Sequence, residues 1–364
     1  MFGRFLREKI LEIGAALLAA AFLLTGRVTP RAAWRAIDVD LLLLLFALLV
    51  TVEILRASGY VDAIVANSVA RFRTTRSFAL ALLAFSGALA CLVTNDVALF
   101  VVIPFTIIAS RFSDFDVEDA VVLEVIAANL IGCLTPLGNP QNLFVFHHSR
   151  WSAAAFVAAM VPFVLWCSAG LLASLFLLGP TRPMAVNAGQ LPSRDKRAAL
   201  LGALCFALVL LEVARVISAA PAAIAALVAG AFLLRRRMFT IDFSIIPLFF
   251  FAFIVVEGMR SFALAFHTNV YFTSIALSQV ISNVPATVLL TPFAEGDWRT
   301  LLYGVNAGGC GTIIASLANL LGWRIYVRES NRDPRFFRRL TILNIAFLAW
   351  AALGGWLILE WTRR

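Results

Sequence analysis

The chain has 364 residues, of which 62% are hydrophobic and 14% are charged. Soluble globular domains carry about 25% charged residues, so this composition excludes an ordinary water-soluble fold and indicates that most of the chain lies in lipid. The net charge of +9 does not indicate nucleic-acid binding, because the basic residues stand between apolar runs instead of gathering on one face with aromatic residues.

Long apolar runs recur along the whole chain, and a membrane-spanning helix needs about 20 such residues. The first run follows Arg4, Arg7 and Lys9 and lacks a clear cleavage site, so we expect an uncleaved first helix. Continuous spanning helices are predicted near residues 11–26, 38–56, 151–178, 198–217, 220–236, 241–259 and 338–361.

Four other apolar stretches are interrupted by polar residues, Gly or Pro. Stretches 77–110 and 262–293 each consist of two arms that are too short for two comfortable crossings, which predicts re-entrant helical hairpins. Stretches 118–146 and 298–326 are predicted to be single helices broken near their middles. Counting a hairpin as no crossing and a broken helix as one crossing predicts an all-α polytopic membrane protein with nine crossings.

The distribution of basic residues supports this topology, since cytoplasmic loops of membrane proteins are rich in Lys and Arg. The segments predicted to be cytoplasmic carry 21 of the 30 lysines and arginines; they are 1–10, 56–76 with Arg111, the linker 179–197, 235–240 and 324–339. We therefore expect an integral protein of the plasma or inner membrane with a cytoplasmic N-terminus.

The two halves of the chain repeat one another in three ordered blocks. The predicted repeats cover residues 11–178 and 198–361. The matched first helices, 11–26 and 220–236, are the first and the sixth predicted crossings and therefore run in opposite directions. The second repeat, which has one additional helix, is thus expected to be inverted in the membrane. The matched sets are Thr94, Asn95, Pro104 and Phe105 with Ser282, Asn283, Pro292 and Phe293; Asn129, Gly132, Cys133, Thr135, Asn142 and Leu143 with Asn306, Gly309, Cys310, Thr312, Asn319 and Leu320; and Asp38, Val52, Glu53 and Arg56 with Asp242, Val256, Glu257 and Arg260.

Inverted repeats place substrate and coupling ions near the bilayer midplane, where broken helices expose backbone groups and helix ends. The amides of Asn95 and Asn283 can bind Na⁺ or an anion, or they can cap helices. The residues of the broken helices can bind ligand, or they can serve helix packing. The candidate binding residues are Thr94, Asn95, Asp96, Thr135, Gly138, Asn139, Asn142, Ser282, Asn283, Thr312, Ala315, Ser316 and Asn319.

Asp96 is the sharpest single candidate, because an ionisable group at an apolar hairpin tip is costly and therefore indicates function. It is predicted to be a proton carrier or a cation ligand, and the alternative is an N-cap of the second hairpin arm. Glu124 and Glu212 have no matched partner and are weaker candidates for a proton role.

Two further acidic residues, Glu53 and Glu257, lie near the ends of matched helices. Arg56 and Arg260 follow them at a spacing of three residues, which permits an ion pair on a helix. A structural ion pair is the favoured interpretation, and a gating role is the alternative.

The tips and breaks together resemble the ion transporter superfamily. The residues that carry the resemblance are Thr94-Asn95, Ser282-Asn283, Gly138-Asn139-Pro140-Gln141-Asn142 and Asn306-Ala307-Gly308-Gly309-Cys310-Gly311-Thr312. Within the superfamily the chain is similar, from about residue 11 to residue 361, to the citrate-transporter-like permeases, which are akin to the arsenite-efflux and divalent anion:sodium symporter families.

The resemblance implies an elevator-type transporter, often dimeric, whose hairpins and broken helices move as one domain against a scaffold. It also implies a Na⁺ site at Asn95, Gly138, Asn283 and Ala315. The third tip positions, Asp96 and Val284, depart from the Thr with which the dicarboxylate branch helps to hold a substrate carboxylate. This departure argues against a dicarboxylate substrate.

The sequence therefore predicts a secondary active transporter that moves a small anion, a carboxylate or an oxyanion, coupled to Na⁺ or H⁺, by alternating access. The alternative is a Na⁺/H⁺ antiporter or an arsenite-type efflux permease that uses Asp96. A channel fits paired closed tips less well, and the chain offers no convincing nucleophile and base for an enzyme. The expected partners are the anionic substrate, the lipid bilayer and, by resemblance, a second copy of the chain; no nucleic acid and no cofactor besides the coupling ion are expected.

Overall fold

The computed structural model describes residues 2–112, 115–177, 181–184, 193–213, 216–241, 243, 245–259, 269–294, 296–330 and 334–362. Its regular structure is helical, which confirms the predicted all-α class. The α-helices of the described chain are α1 (Phe2–Leu24), α2 (Pro30–Ala36), α3 (Val39–Ala57), α4 (Tyr60–Val69), α5 (Thr75–Leu92), α6 (Asn95–Ala109), α7 (Val117–Leu130), α8 (Pro140–Ser149), α9 (Ala153–Leu177), α10 (Lys196–Val213), α11 (Ala219–Leu233), α12 (Ile245–Met259), α13 (Val270–Ile281), α14 (Asn283–Ala294), α15 (Trp298–Gly308), α16 (Leu317–Ser330) and α17 (Pro334–Thr362).

Every continuous helix predicted from the apolar runs is observed as a helix, and two short helices were not predicted. Helix α2 begins at Pro30 after Thr29, whose side chain accepts a hydrogen bond of 3.2 Å from the Ala32 amide. This cap followed by Pro is a helix-start signal that the sequence does contain. Helix α4 lies within the segment 56–76 that was predicted to be cytoplasmic.

Three of the described helices, α5, α9 and α17, are long and apolar enough to cross a membrane, and α3 with α4 would make a fourth span bent by 74°. Large apolar side chains on these helices, such as Leu80, Leu165 and Phe176, are exposed. Such residues are stable on a protein surface that faces lipid tails. The chain is thus an integral membrane protein, while nine crossings and a cytoplasmic N-terminus stay predictions.

The chain forms two compact units, and neither of them is one of the sequence halves. Unit 1 comprises Met1–Tyr60 and Ser193–Phe266, and unit 2 comprises Val61–Pro192 and His267–Arg364. Each unit combines segments of both predicted repeats. Both hairpins and both broken helices belong to unit 2.

Unit 1 packs α3 against α10 and α11 through small residues. A Cβ atom on Gly202 of α10 would lie 2.8 Å from a methyl carbon of Leu55, and one on Gly230 of α11 would lie 2.6 Å from a methyl carbon of Val50. Small residues let membrane helices approach closely and gain van der Waals contact, because lipid supplies no hydrophobic drive between helices. Arg260 and Asp242 of the matched repeat blocks lie outside the described residues, and the predicted Glu53–Arg56 and Glu257–Arg260 pairs stay predictions.

Unit 2 contains the two predicted hairpins. In the first hairpin, α5 packs against α6, and the chain turns at Val93 and Thr94. In the second hairpin, α13 packs against α14, and the chain turns at Ser282. The part of the predicted second hairpin before residue 269 lies outside the described residues.

The two predicted broken helices are also interrupted in the structure. The first broken helix consists of α7, a 3₁₀ turn over Gly132–Leu134, and α8, and the second consists of α15 and α16. An ion pair between Asp119 of α7 and Arg339 joins the first broken helix to α17.

Helices α9 and α17 are joined by a reciprocal pair of tryptophans. The indole N–H of Trp166 donates to the carbonyl of Trp350 at 2.9 Å, and the indole N–H of Trp350 donates to the carbonyl of Trp166 at 3.0 Å. Gly170 and Gly354 leave room for the rings, since a Cβ atom on either would lie 2.5 Å or less from an indole nitrogen. Both pairs of residues stand 184 positions apart, a fourth repeat match beyond the three sequence blocks.

Candidate functional site

Each hairpin tip is bonded through its backbone to the break of one broken helix. The amide N–H of Asn95 donates to the carbonyl of Gly138 at 2.8 Å, and the amide N–H of Asn283 donates to the carbonyl of Ala315 at 2.9 Å. These four residues are the ones that the resemblance assigns to a Na⁺ site. The structure brings them together as two tip–break pairs at matched positions.

A threonine in each break makes a second matched contact with its hairpin. Thr135 donates its hydroxyl to the carbonyl of Cys91 at 2.6 Å, and Thr312 donates to the carbonyl of Gln279 at 3.0 Å. The thiol of Cys91 lies 3.2 Å from the carbonyl of Ile131, and Nε2 of Gln279 donates to the carbonyl of Gly308 at 2.9 Å. Cys91 and Gln279 were not predicted from the sequence. A thiol and an amide give no residue match, although the two side chains bond to carbonyls at matched positions.

Four buried side chains form a network that we call the first amide network: Asn95, Asn129, Ser316 and Asn319. Nδ2 of Asn95 donates to Oδ1 of Asn129 at 3.0 Å, and Nδ2 of Asn129 donates to Oδ1 of Asn319 at 3.0 Å. The hydroxyl of Ser316 also donates to Oδ1 of Asn129, at 2.9 Å. The first hairpin tip is thus linked to the break of the second broken helix.

Another four buried side chains form the second amide network: Asn139, Gln141, Asn142 and Asn306. Nδ2 of Asn306 donates to Oδ1 of Asn142 at 2.8 Å. Oδ1 of Asn306 accepts from Nδ2 of Asn139 at 3.1 Å and from Nε2 of Gln141 at 3.3 Å. Asn129 and Asn306 match in the repeat, and each bonds to the broken helix of the opposite half.

Two helices begin at the hairpin tips and two at the breaks of the broken helices. Each of the four leaves backbone N–H groups without a partner inside its own helix. Thr94 caps α6 and Asn139 caps α8, while α14 begins at Asn283 and α16 begins just after Ser316. Helix N-termini carry partial positive charge and bind anions. The breaks therefore offer anion-binding helix ends beside amide and carbonyl oxygens that suit a cation.

Ser282 holds a strained backbone conformation at the second tip. Its φ of 73° and ψ of 154° lie in a region that is populated almost only by glycine. The matched Thr94 has an ordinary extended conformation with φ of −111°. Strain of this kind costs of order 1–3 kcal/mol and persists only where the surroundings enforce it.

Asp96 is buried at the first tip, with 4% of its surface exposed. Its Oδ1 atom has no hydrogen-bond partner in the described part of the chain. The cap of α6 is Thr94, whose hydroxyl accepts from the Val97 amide at 3.4 Å, so the alternative interpretation of Asp96 as an N-cap is wrong. Asp96 lies in the first turn of α6, where the helix dipole favours a negative charge.

Glycines allow close packing of the backbone and side chains at the breaks. A Cβ atom on Gly138 would lie 1.8 Å from the carbonyl oxygen of Gly132, so no other residue fits there without moving the backbone. A Cβ atom on Gly309 would lie 2.8 Å from Nδ2 of Asn283. The small residues predicted at the breaks therefore have a packing role as well as any binding role.

All thirteen predicted site residues lie in unit 2, and the contacts above join most of them to a neighbour at a tip or a break. Asp96 is joined to the tip through its backbone, whose N–H donates to Oδ1 of Asn95 at 3.0 Å, whereas Oδ1 of its own side chain has no partner among the described residues. The prediction omitted Asn129, Asn306 and Gln141, although the repeat match already contained the first two. A buried amide at matched positions was the signal that would have found them.

Comparison with known proteins shows the family of the chain. A model of the citrate transporter family matches residues 4–297. The uncharacterized transporter MJ0456 of Methanocaldococcus jannaschii is 33% identical, over 90% of this chain and 91% of its own. The inner membrane protein YbiR of Escherichia coli is 32% identical, over 91% and 90%. The uncharacterized transporter Rv2684 of Mycobacterium tuberculosis is 24% identical, over 88% and 86%.

The family match covers both hairpin tips and the first broken helix, and the two more similar relatives extend over nearly the whole chain. The resemblance to citrate-transporter-like permeases is thereby confirmed. The chain belongs to the citrate transporter family of membrane transporters.

Proposed function

We propose that this transporter moves a small anion, a carboxylate or an oxyanion, by secondary active transport coupled to Na⁺ or H⁺. The observation that carries the proposal is the pair of tip–break contacts, Asn95 with Gly138 and Asn283 with Ala315. These contacts place two matched groups of helix N-termini and carbonyl oxygens at the tips and breaks. A site with partial positive helix ends and oxygen ligands suits an anion that travels with a cation.

Na⁺ would bind at the carbonyls of Gly138 and Ala315 together with the side-chain oxygens of Asn95 and Asn283. Each of the two carbonyls accepts one backbone hydrogen bond in the structure. A carbonyl oxygen has a second lone pair. The carbonyl of Ala315 also accepts a long hydrogen bond of 3.4 Å from the Ser282 hydroxyl, which a cation would replace. H⁺ would instead use a buried carboxyl group, for which Asp96 is the candidate at the tips.

Alternating access would come from movement of unit 2 as one body. Support comes from the composition of the units, because both hairpins and both broken helices share unit 2, whereas α3, α10, α11 and α12 belong to unit 1. Inverted repeats and a homodimer, as in other members of the superfamily, are part of this proposal. The proposal also includes a location in the inner membrane with a cytoplasmic N-terminus; the relative YbiR is named an inner membrane protein.

One observation favours a second candidate function, Na⁺/H⁺ antiport or arsenite-type efflux. Asp96 is buried with an unpartnered oxygen at the tip, where an ionised carboxylate would repel an anion and attract a cation. In this function Asp96 exchanges Na⁺ for H⁺, or its protonated form accompanies a neutral substrate. No organic anion is then carried.

Uptake by purified protein in liposomes tests the proposal. Citrate, succinate, sulfate, phosphate and arsenite are offered under an imposed Na⁺ or H⁺ gradient, with the wild type beside Asn95→Ala and Asp96→Asn. The proposal expects gradient-driven accumulation of one anion, lost in Asn95→Ala because the tip then lacks its amide ligand. Asn344→Ala serves as the control, since its buried amide donates to Leu340 of its own helix.

Two outcomes would contradict the proposal. Absence of anion flux, together with Na⁺-dependent proton movement that Asp96→Asn abolishes, would identify an antiporter. Flux that equilibrates the anion but never accumulates it under either gradient would identify passive transport.

A further inference from the structure

Glu124 is buried in the middle of α7 with a single side-chain partner. The residue is 1% exposed. Thr106 of α6 donates its hydroxyl to Oε1, and Oε2 has no hydrogen-bond partner in the described part of the chain. Ser86 of α5 donates to the backbone carbonyl of Glu124 at 2.9 Å. Both arms of the first hairpin therefore contact this one residue.

No cation neutralises Glu124 among the described residues, since none forms an ion pair with it. Asp119, five residues earlier on α7, is paired with Arg339. Helix α9 also packs against α7 and carries no charged residue. The other helices packed against α7 carry these described charged side chains: Arg76 on α5, Asp96 on α6, Arg299 on α15, Arg324 and Arg328 on α16, and Arg335, Arg338, Arg339 and Glu360 on α17.

A carboxylate buried without a cation is far more costly than the neutral acid. One hydroxyl donor does not replace the water that an ionised carboxylate loses, and here the second oxygen receives no donor at all from the described residues. The arrangement is that of a carboxyl group that holds its proton. Release of the proton requires a state of the protein in which water reaches Glu124.

A cavity lies one helical turn from Glu124. A cavity of about 860 Å³ in unit 2 is lined by Ala120 and Leu123 of α7, the latter directly before Glu124. Ala120 stands four residues before Glu124 and therefore lies on the same face of the helix. The charged residues that line the cavity are three acids at the start of α7, Asp116, Glu118 and Asp119, and five arginines, Arg76, Arg182, Arg335, Arg338 and Arg339. In the state that the structure describes, Glu124 itself is closed off.

We propose that Glu124 is a proton-binding site of the transporter, loaded and unloaded from the cavity lined by Ala120 and Leu123. Its carboxylate takes H⁺ from water to form the neutral acid, and it returns H⁺ to water when the first hairpin loosens its contacts with α7. The inference rests on the proposed function, in which H⁺ is one of the two coupling ions. It assigns the proton to a residue away from the tip, which leaves Asp96 free to act on substrate or cation.

The test uses full-length protein with Glu124→Gln, which keeps the volume and the acceptor for Thr106 but cannot bind a proton. Infrared difference spectroscopy at neutral pH is expected to show a carbonyl band of a protonated carboxyl group in the wild type that this variant lacks. In liposomes, anion accumulation driven by a pH gradient is expected to be about tenfold lower in the variant, a factor typical of the coupling between two sites. Anion exchange at equal pH on both sides is expected to persist.

Asp40→Asn is the matched control, because Asp40 is an exposed carboxylate in the first turn of α3, in unit 1. It is expected to change neither readout. A wild type without the band, or a Glu124→Gln variant that accumulates anion like the wild type, overturns the inference. Because the infrared readout needs no substrate, failure of this inference is distinguishable from failure of the proposed function, which would show as absence of anion flux in every protein.

Discussion

Asn306 donates its side-chain amide to Oδ1 of Asn142 at 2.8 Å, across 164 residues of sequence. The matched contact, from Asn129 to Asn319 at 3.0 Å, runs from the first half to the second. The two contacts are reciprocal, so each half of the chain completes the buried polar break of the other.

Asn306→Ala is expected to lower the free energy of unfolding by about 3 kcal/mol or more, because it strands the buried side-chain amides of Asn139, Gln141 and Asn142. Thermal unfolding in detergent measures the change. Asn344→Leu is the matched control, since it removes a buried amide that donates within α17 and strands no side-chain partner there. A stability of Asn306→Ala equal to that of the control would contradict the role of the second amide network.

Gly138→Ala is expected to slow transport strongly, because its Cβ atom would meet the Gly132 carbonyl and push the Gly138 carbonyl away from Asn95. The initial uptake rate in liposomes should fall by roughly tenfold or more, as for other strained changes in packed regions. Gly14→Ala has open space around it and favours its helix, so it should transport normally. Normal uptake by Gly138→Ala would show that the break tolerates a different geometry.

The two hairpin tips should respond differently to exchange of their hydroxyl residues. Ser282→Thr places a β-branched residue at a φ of 73° and is expected to cost about 1 kcal/mol or more, whereas Thr94→Ser keeps an ordinary conformation and should cost little. Unfolding temperatures of the two variants in the same detergent compare them directly. Equal shifts would mean that the second tip relaxes without penalty.

A double-mutant cycle should separate the hydrogen bonds of Trp166 and Trp350 from the stacking of their rings. Trp166→Phe and Trp350→Phe each remove one interhelical hydrogen bond, and each is expected to cost about 0.6 kcal/mol, the average for such bonds in membrane proteins. The stacked rings, with centroids 4.6 Å apart, should add a coupling between the two changes. Trp361→Phe is the control, because Trp361 is 79% exposed. Strict additivity of the two changes would argue against contact between the rings.

The sequence predicted the breaks because Asn, Gly and Pro inside apolar runs interrupt helices and leave polar groups that lipid cannot satisfy. It did not predict which broken helix each amide would contact, since residue spacing places Asn129 on α7 but does not show which helix faces it. For the same reason the sequence did not predict the two compact units, each of which combines segments from both halves of the chain. Cys91 and Gln279 were missed because different chemistry performs the same task at matched positions, whereas the identical Trp166 and Trp350 are a repeat signal that the sequence does contain.

The exchange of amides between halves also bears on synthesis of the chain. Asn129 enters the membrane 190 residues before Asn319, its acceptor, and 187 residues before Ser316. Until the second half has been made, the buried amides of the first half have only water, lipid headgroups or one another as partners. The candidate site is therefore completed only after the second broken helix has been made, and a nascent chain halted after α9 carries polar side chains that its own fold does not satisfy.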